Sequence, residues 1–114
     1  MSLSAAAGIL HVVATPIGNL ADLSPRALST LRGVAAICAE DTRRTRQLLA
    51  HHGVEQSLVA LHEHNESGVA ERLVARLLAG ESLALVSDAG TPLVSDPGFR
   101  LVAAARAAGV KVSP

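Results

Sequence analysis

Five short runs of Val, Ile, Leu and Ala recur along the chain, and between them lie four stretches with helical spacing. Ile9–Ala14 (ILHVVA) reads as a buried strand, because it is a continuous apolar run too short for a helix. Ser24 and Pro25 look like the N-cap and first residue of a helix whose apolar face holds Ala27, Leu28 and Leu31, with Gly33 as its C-terminal stop. Val34–Ala39 is a second strand, and a helix from about Thr42 ends at His51 and His52, closed by Gly53. Leu58–Leu61 is a third strand, after which Asn65 or Ser67 caps a helix running to Ala79. That helix carries Val69, Leu73, Val74, Leu77 and Leu78 as a stripe, and Gly80 ends it. Leu83–Val86 is the fourth strand. Asp96 and Pro97 open a last helix with Phe99, Leu101, Val102 and Ala105, Gly109 ends it, and Val110–Val112 begins a fifth strand. Strand–helix alternation of this kind predicts an α/β fold, a parallel sheet with helices on both faces. In such a sheet ligands belong at the carboxyl ends of the strands.

At 114 residues the chain has the length of one domain, with enough surface to bury for one real core. Apolar residues make up 49% against 18% charged, which excludes a disordered tail. Phe99 is the only aromatic, so the core is aliphatic and aromatic platforms for stacking bases are nearly absent. Ten basic residues balance ten acidic ones, so no global field draws a polyanion, and such a partner must meet a local patch. Cys38 is alone, which excludes a disulfide framework and a multi-cysteine zinc site. Met1 to Gly8 lacks a basic region, Ile9–Ala14 is too short for a signal peptide, and no run approaches the ~18 apolar residues of a membrane helix. A soluble cytoplasmic protein is expected.

Three connections carry candidate chemistry. In Ala14-Thr15-Pro16-Ile17-Gly18-Asn19-Leu20, Pro16 and Gly18 permit a sharp turn and close approach to a ligand, although a plain strand-to-helix turn would read the same. No Gly-x-Gly-x-x-Gly pattern or Walker lysine is present, so dinucleotide and nucleoside-triphosphate sites lose support. Ser87 to Gly98 (SDAGTPLVSDPG) sets two Ser-Asp pairs around a Gly-Thr-Pro turn, a surface better suited to an uncharged or cationic ligand with hydroxyls than to a phosphate. Asp96 reads first as an N-cap, and Asp88 is the stronger candidate for a ligand contact. In Glu40-Asp41-Thr42-Arg43-Arg44-Thr45-Arg46 a carboxylate pair meets the first turn of a helix with three arginines. The acids there could cap the helix, and the arginines could contact phosphate. His62 and His64 share a side of an extended segment but lack further metal ligands at useful spacing, so no metal site is expected. His51 and His52 are expected to serve the helix C-terminus, and Cys38 to be a small buried hydrophobe.

Val13-Ala14-Thr15-Pro16-Ile17-Gly18-Asn19-Leu20, Ala39-Glu40-Asp41-Thr42-Arg43, His64-Asn65-Glu66 and Val86 through Gly98 (VSDAGTPLVSDPG) together resemble the signatures of one family. It is that of the bacterial small-subunit ribosomal RNA cytidine 2′-O-methyltransferases, within the tetrapyrrole methylase superfamily. The resemblance runs in order from Leu10 to nearly the end of the chain. It implies an N-terminal domain with a five-stranded parallel sheet of order 3-2-4-1-5, spanning residues 9–114. The first eight residues would be flexible or vector-derived. It implies S-adenosylmethionine as cofactor, contacted by residues matching Pro16, Ser87, Asp88, Ala89, Gly90, Thr91 and Val94. Thr91 stands where tetrapyrrole and diphthine relatives carry Asp, so the polar group that holds the cofactor differs here. Family members continue into a Pro-Gly-Pro-Ser-Ala segment and a second domain that completes the pocket. The chain is therefore expected to be an N-terminal fragment with little activity alone.

For 2′-O methylation, residue type and loop position point to Asp41, Arg43 and Asp88 as catalytic candidates: a carboxylate to orient or accept the hydroxyl proton, and Arg43 to hold a neighbouring phosphate. The implied partners are small-subunit ribosomal RNA or the assembled subunit, and a second copy of the full-length chain, with no membrane. The alternatives are a tetrapyrrole methyltransferase of the same superfamily, disfavoured by the Glu-Asp-Thr-Arg element, and a non-catalytic small-ligand-binding domain. A receiver-like domain would want acids after the first strand, where Thr15-Pro16 stands instead.

Overall fold

A computed structural model describes residues 7–15, 21–61, 66–88 and 96–114. Their order is β1 (Ile9–Thr15), α1 (Pro25–Gly33), β2 (Ala36–Ala39), α2 (Thr42–His51), β3 (Leu58–Ala60), α3 (Glu66–Leu78), β4 (Leu83–Asp88), α4 (Asp96–Ala107) and β5 (Lys111–Ser113). The five strands form one parallel sheet of order β3-β2-β4-β1-β5, the order the family resemblance implied.

Strand periodicity divides the core in two. Leu10, Ala36, Cys38, Leu83 and Leu85 face α3 and α4, where Leu73, Leu77, Leu101 and Ala105 close over them. Val13, Ile37, Ala39, Ala84 and Val86 face α1 and α2, against Leu31 and Leu49. Both faces of the central strands are buried, which is why those strands read as continuous apolar runs and not as alternation.

Helix ends follow local chemistry. Ala27 N–H donates to Ser24 Oγ at 3.0 Å, the expected N-cap with Pro25 behind it. Gly53, Gly80 and Gly109 take positive φ after α2, α3 and α4, and Val54, Glu81 and Val110 each donate back five residues, closing Schellman-type ends. Gly33 departs from expectation. It is the last residue of α1 and has no positive φ, and the chain leaves in an extended Val34 whose N–H still bonds Thr30.

β2 also starts two residues later than Val34, because Gln56 Nε2 donates to the Val34 carbonyl at 2.6 Å and takes that group out of the ladder. β1 and β4 run further than expected, pairing out to Thr15 opposite Asp88. Polar, turn-favouring Ser87 and Asp88 hid that extension. α3 begins at Glu66, so Ser67 lies within it and Asn65, the other expected cap, lies outside the described residues.

The amino edge of the sheet is drawn tight. Gly8 N–H donates to the Leu77 carbonyl at 2.7 Å, and a Cβ on Gly8 would collide with the Glu81 carbonyl and the backbone beyond it. Ile9 N–H donates to Ser82 Oγ at 3.0 Å, and Ala35 N–H to the Ser82 carbonyl at 2.8 Å. Next to them Arg76 holds Glu81 through Nη2 at 2.9 Å and Nε at 3.3 Å. This bond, before the mutual attraction of the charges, keeps the Glu81 carboxyl below the usual range.

Candidate functional site

The opposite, carboxyl edge is where the motif-bearing connections leave the sheet. β4 is central there, flanked by β1 and β2, so Ala14 lies opposite Ser87, Thr15 opposite Asp88, and Ala39 opposite Val86. Thr15 is only 3% exposed, and its hydroxyl donates to the Ser87 carbonyl at 3.1 Å. That bond ties the ends of the two strands that precede the first and second candidate connections. Ala14 is exposed and Ser87 half-buried, leaving small side chains where the strands end.

β2 leads into the third connection. Asp41 is the N-cap of α2: Arg44 N–H donates to its Oδ1 at 3.0 Å, and Thr45 donates to its carbonyl through N–H at 3.1 Å and Oγ1 at 2.8 Å. The capping role foreseen for the acids of this element is therefore filled by Asp41, while Arg43 in the first turn of α2 is exposed. Glu40 crosses the edge instead. Its Oε1 accepts from the Gly98 N–H in the first turn of α4 at 3.4 Å, linking residues 58 apart in sequence. A carboxylate at a helix start is favoured by the helix dipole.

The described side chains that follow β2 before Arg43 include two carboxylates, Glu40 and Asp41, the second occupied as the α2 cap, and no cation. That donor set suits a cationic or neutral ligand better than a phosphate.

The sequence marked Glu40 only as one of two acids that could cap α2, and Thr15 only as part of a motif; neither was expected to tie this edge together. A β-branched polar residue closing an apolar strand was the available signal for Thr15. Nothing local marks Gly98 as the partner of Glu40. Of the expected cofactor contacts, Pro16, Ala89, Gly90, Thr91 and Val94 lie outside the described residues, and Ser87 and Asp88 are brought to the end of β4 beside Thr15.

Other candidates separate from this edge. Cys38 is buried in β2, and burial pushes its thiol up to about 12 against the lowering influence of Arg76, so it is no nucleophile. His51, the last residue of α2, and His52, its C-cap, lie edge to face at 5.0 Å, and Arg32 donates to the His52 carbonyl at 3.3 Å. His62 and His64 lie outside the described residues, among which no cluster of three or more His, Cys, Asp or Glu could hold a metal. Nor is any described helix long and apolar enough to cross a membrane. His11, which the sequence did not mark, lines a cavity of about 260 Å³ with Ser24, Arg26, Thr30 and Pro114. Burial, then the charges of Arg26 and Lys111, lower its pKa.

The family model of the tetrapyrrole (corrin/porphyrin) methylases matches residues 9–114. Curated relatives named ribosomal RNA small subunit methyltransferase I are 72% identical over 107 residues in Xylella fastidiosa strain Temecula1, 59% over 108 residues in Pseudomonas aeruginosa and 56% over 107 residues in Escherichia coli O157:H7. These alignments take in 94%, 95% and 94% of this chain but 39%, 38% and 37% of the relatives, so the chain spans well under half their length. Among solved structures, diphthine synthase superposes with a TM-score of 0.69 at 20% identity, covering 93% of this chain and 43% of that one. Uroporphyrin-III-C-methyltransferase from Thermus thermophilus gives 0.66 at 22%, covering 94% and 47%. At those identities the likeness concerns the fold. Sequence motifs, sheet order and family match agree, and the chain belongs to the tetrapyrrole methylase family, with high similarity to the small-subunit ribosomal RNA methyltransferases I.

Proposed function

We propose that this chain is the N-terminal domain of an S-adenosylmethionine-dependent enzyme that methylates the ribose 2′-hydroxyl of a cytidine in small-subunit ribosomal RNA. The observation that carries the reading is the convergence of three motif-bearing connections on one carboxyl edge, tied by Thr15 to Ser87 and by Glu40 to Gly98. The names of the relatives supply the substrate class. The Glu40 carboxylate and the small side chains of Ala14 and Ser87 fit a sulfonium compound, with Pro16 and the 87–94 connection as its expected holders.

When bound, S-adenosylmethionine supplies an electrophilic methyl group. Pro16 and the 87–94 connection would hold it so that this methyl could face the ribose oxygen, whose hydroxyl proton would pass to a base of this chain. Asp88, at the end of β4, is the proposed group for orienting or accepting that proton, and Arg43 for gripping an adjacent phosphate. Asp41 contributes by fixing the first turn of α2, and through it Arg43. Holding both reactants in line supplies much of the acceleration, because effective molarities are large. The longer protein works in the cytoplasm as a homodimer, on ribosomal RNA or the assembled subunit.

Calorimetric binding of S-adenosylhomocysteine to this chain, and to a version extended through downstream coding sequence, tests the reading. Binding by the extended chain alone is expected for a pocket shared between two domains. Binding by neither, with both folded, overturns it.

A further inference from the structure

The chain is neutral as a whole, but its two helical layers are not alike. α1 and α2, which cover one face of the sheet, carry Arg26, Arg32, Arg43, Arg44 and Arg46 and no carboxylate. α3 and α4, on the other face, carry four arginines against Glu66, Glu71 and Asp96. Arg26, Arg32, Arg43 and Arg46 are exposed.

The acids near the first layer sit in connections and not on the helices. Asp41 is occupied as a cap and Glu40 reaches to Gly98, leaving Asp22 and Glu55 among the described residues. Arg32 and Arg46, from different helices, line one open cavity of about 850 Å³ together with Glu55 and Gln56. At the other end of α1, Arg26 shares a cavity with His11, and Lys111 lies on the same sheet face as His11 at the neighbouring strand.

We propose that the outer surface of the α1–α2 layer is the docking face for the phosphate backbone of single-stranded RNA, with Arg26, Arg32 and Arg46 as its contacts beside Arg43. The proposal rests on the RNA reading above and gives it the local patch that a neutral chain requires. Guanidinium groups pair bidentately with phosphate, and phosphate contacts carry no sequence information, so this layer grips and orients RNA while the carboxyl edge selects the nucleotide.

The test compares two double variants of equal charge change, Arg26→Gln with Arg46→Gln on the proposed face and Arg72→Gln with Arg106→Gln on the opposite one. The probe is a short labelled single-stranded RNA followed through a salt series, with heparin as a plain polyanion. The first pair is expected to weaken RNA binding roughly twentyfold at ~0.1 M salt and to lower the salt slope by about 1.4. The second pair is expected to change either value little. Equal losses from both pairs, a loss confined to the second, or no binding of RNA by the unsubstituted chain overturns the docking face. Binding of S-adenosylhomocysteine, measured on the same samples, reports separately on the methyl-donor reading and is expected to be unchanged by both pairs.

Discussion

The two ends of the sheet are built differently. At the amino edge the backbone bonds directly or through one short hydroxyl: Gly8 to Leu77, Ile9 to Ser82, Ala35 to Ser82. Turns there are short, glycine lets segments touch, and the Arg76–Glu81 pair sits alongside. At the carboxyl edge the ties are side-chain ties between distant residues, Thr15 to Ser87 and Glu40 to Gly98, and the long connections leave from there. One end holds strands in register. The other ties together the strand ends from which the motif-bearing connections leave, so damage should read out as lost stability at the first and as lost ligand binding at the second.

The largest effect is expected at Gly8. Gly8→Val drives a branched side chain into the Glu81 backbone and should cost about 2 to 3 kcal/mol in urea unfolding, with S-adenosylhomocysteine affinity of the folded protein unchanged. A smaller loss would mean that the tight approach relaxes cheaply.

Asp41→Ala removes the α2 cap and should cost about 1 kcal/mol. Asp41→Asn keeps the accepting oxygen and most of that stability. If Asp41→Asn nonetheless abolishes methyl transfer in the extended enzyme, the carboxylate does more than cap. Ser82→Ala leaves Ile9 N–H without its acceptor, for a loss of about 1 kcal/mol with no effect on ligand affinity.

Glu40→Ala should be nearly silent in unfolding because the group is exposed and its bond is long, yet weaken S-adenosylhomocysteine binding several-fold, with Glu40→Gln restoring part of the loss. A drop in stability without a change in affinity would erase the contrast between the two edges.

The smallest effect is in pH. His11 has a lowered pKa in the fold, so the unfolded chain takes up the proton first. Stability should fall as pH drops below the ordinary imidazole value and level off below the depressed one, and His11→Gln should flatten that segment of the melting curve. Glu81 acts lower still: its pair with Arg76 contributes above the usual carboxylate range and is lost as pH falls through the depressed pKa.

What the sequence disclosed divides along the same line. Strand–helix alternation, the Ser24 cap and the glycine stops after α2, α3 and α4 are local, and composition reveals them. The late start of β2 and the long β4 were hidden because each depends on a distant partner: Gln56 for the Val34 carbonyl, and the register with β1 for Ser87 and Asp88. At the site, Asp41 as a cap was readable from its place before a helix. Glu40 was not, because a contact across 58 residues leaves no periodic trace. The motif residues between 89 and 95 were legible as family signatures, and they lie outside the described residues.

The order of the strands also dictates an order of events during synthesis. β1 and β2 leave the ribosome first but do not touch, because β4 lies between them. Only the β2–β3 pair can close early, through α2. β1 must wait, edges unpaired, until residues 83–88 have emerged and slot in beside both. Closing such non-local pairings is slow and leaves apolar strand edges open to other chains meanwhile. A nascent chain halted before Leu83 would therefore hold a β2–β3 unit and an unpartnered first strand, and arrest-peptide force measurements should register the main folding pull only after β4 is free of the tunnel.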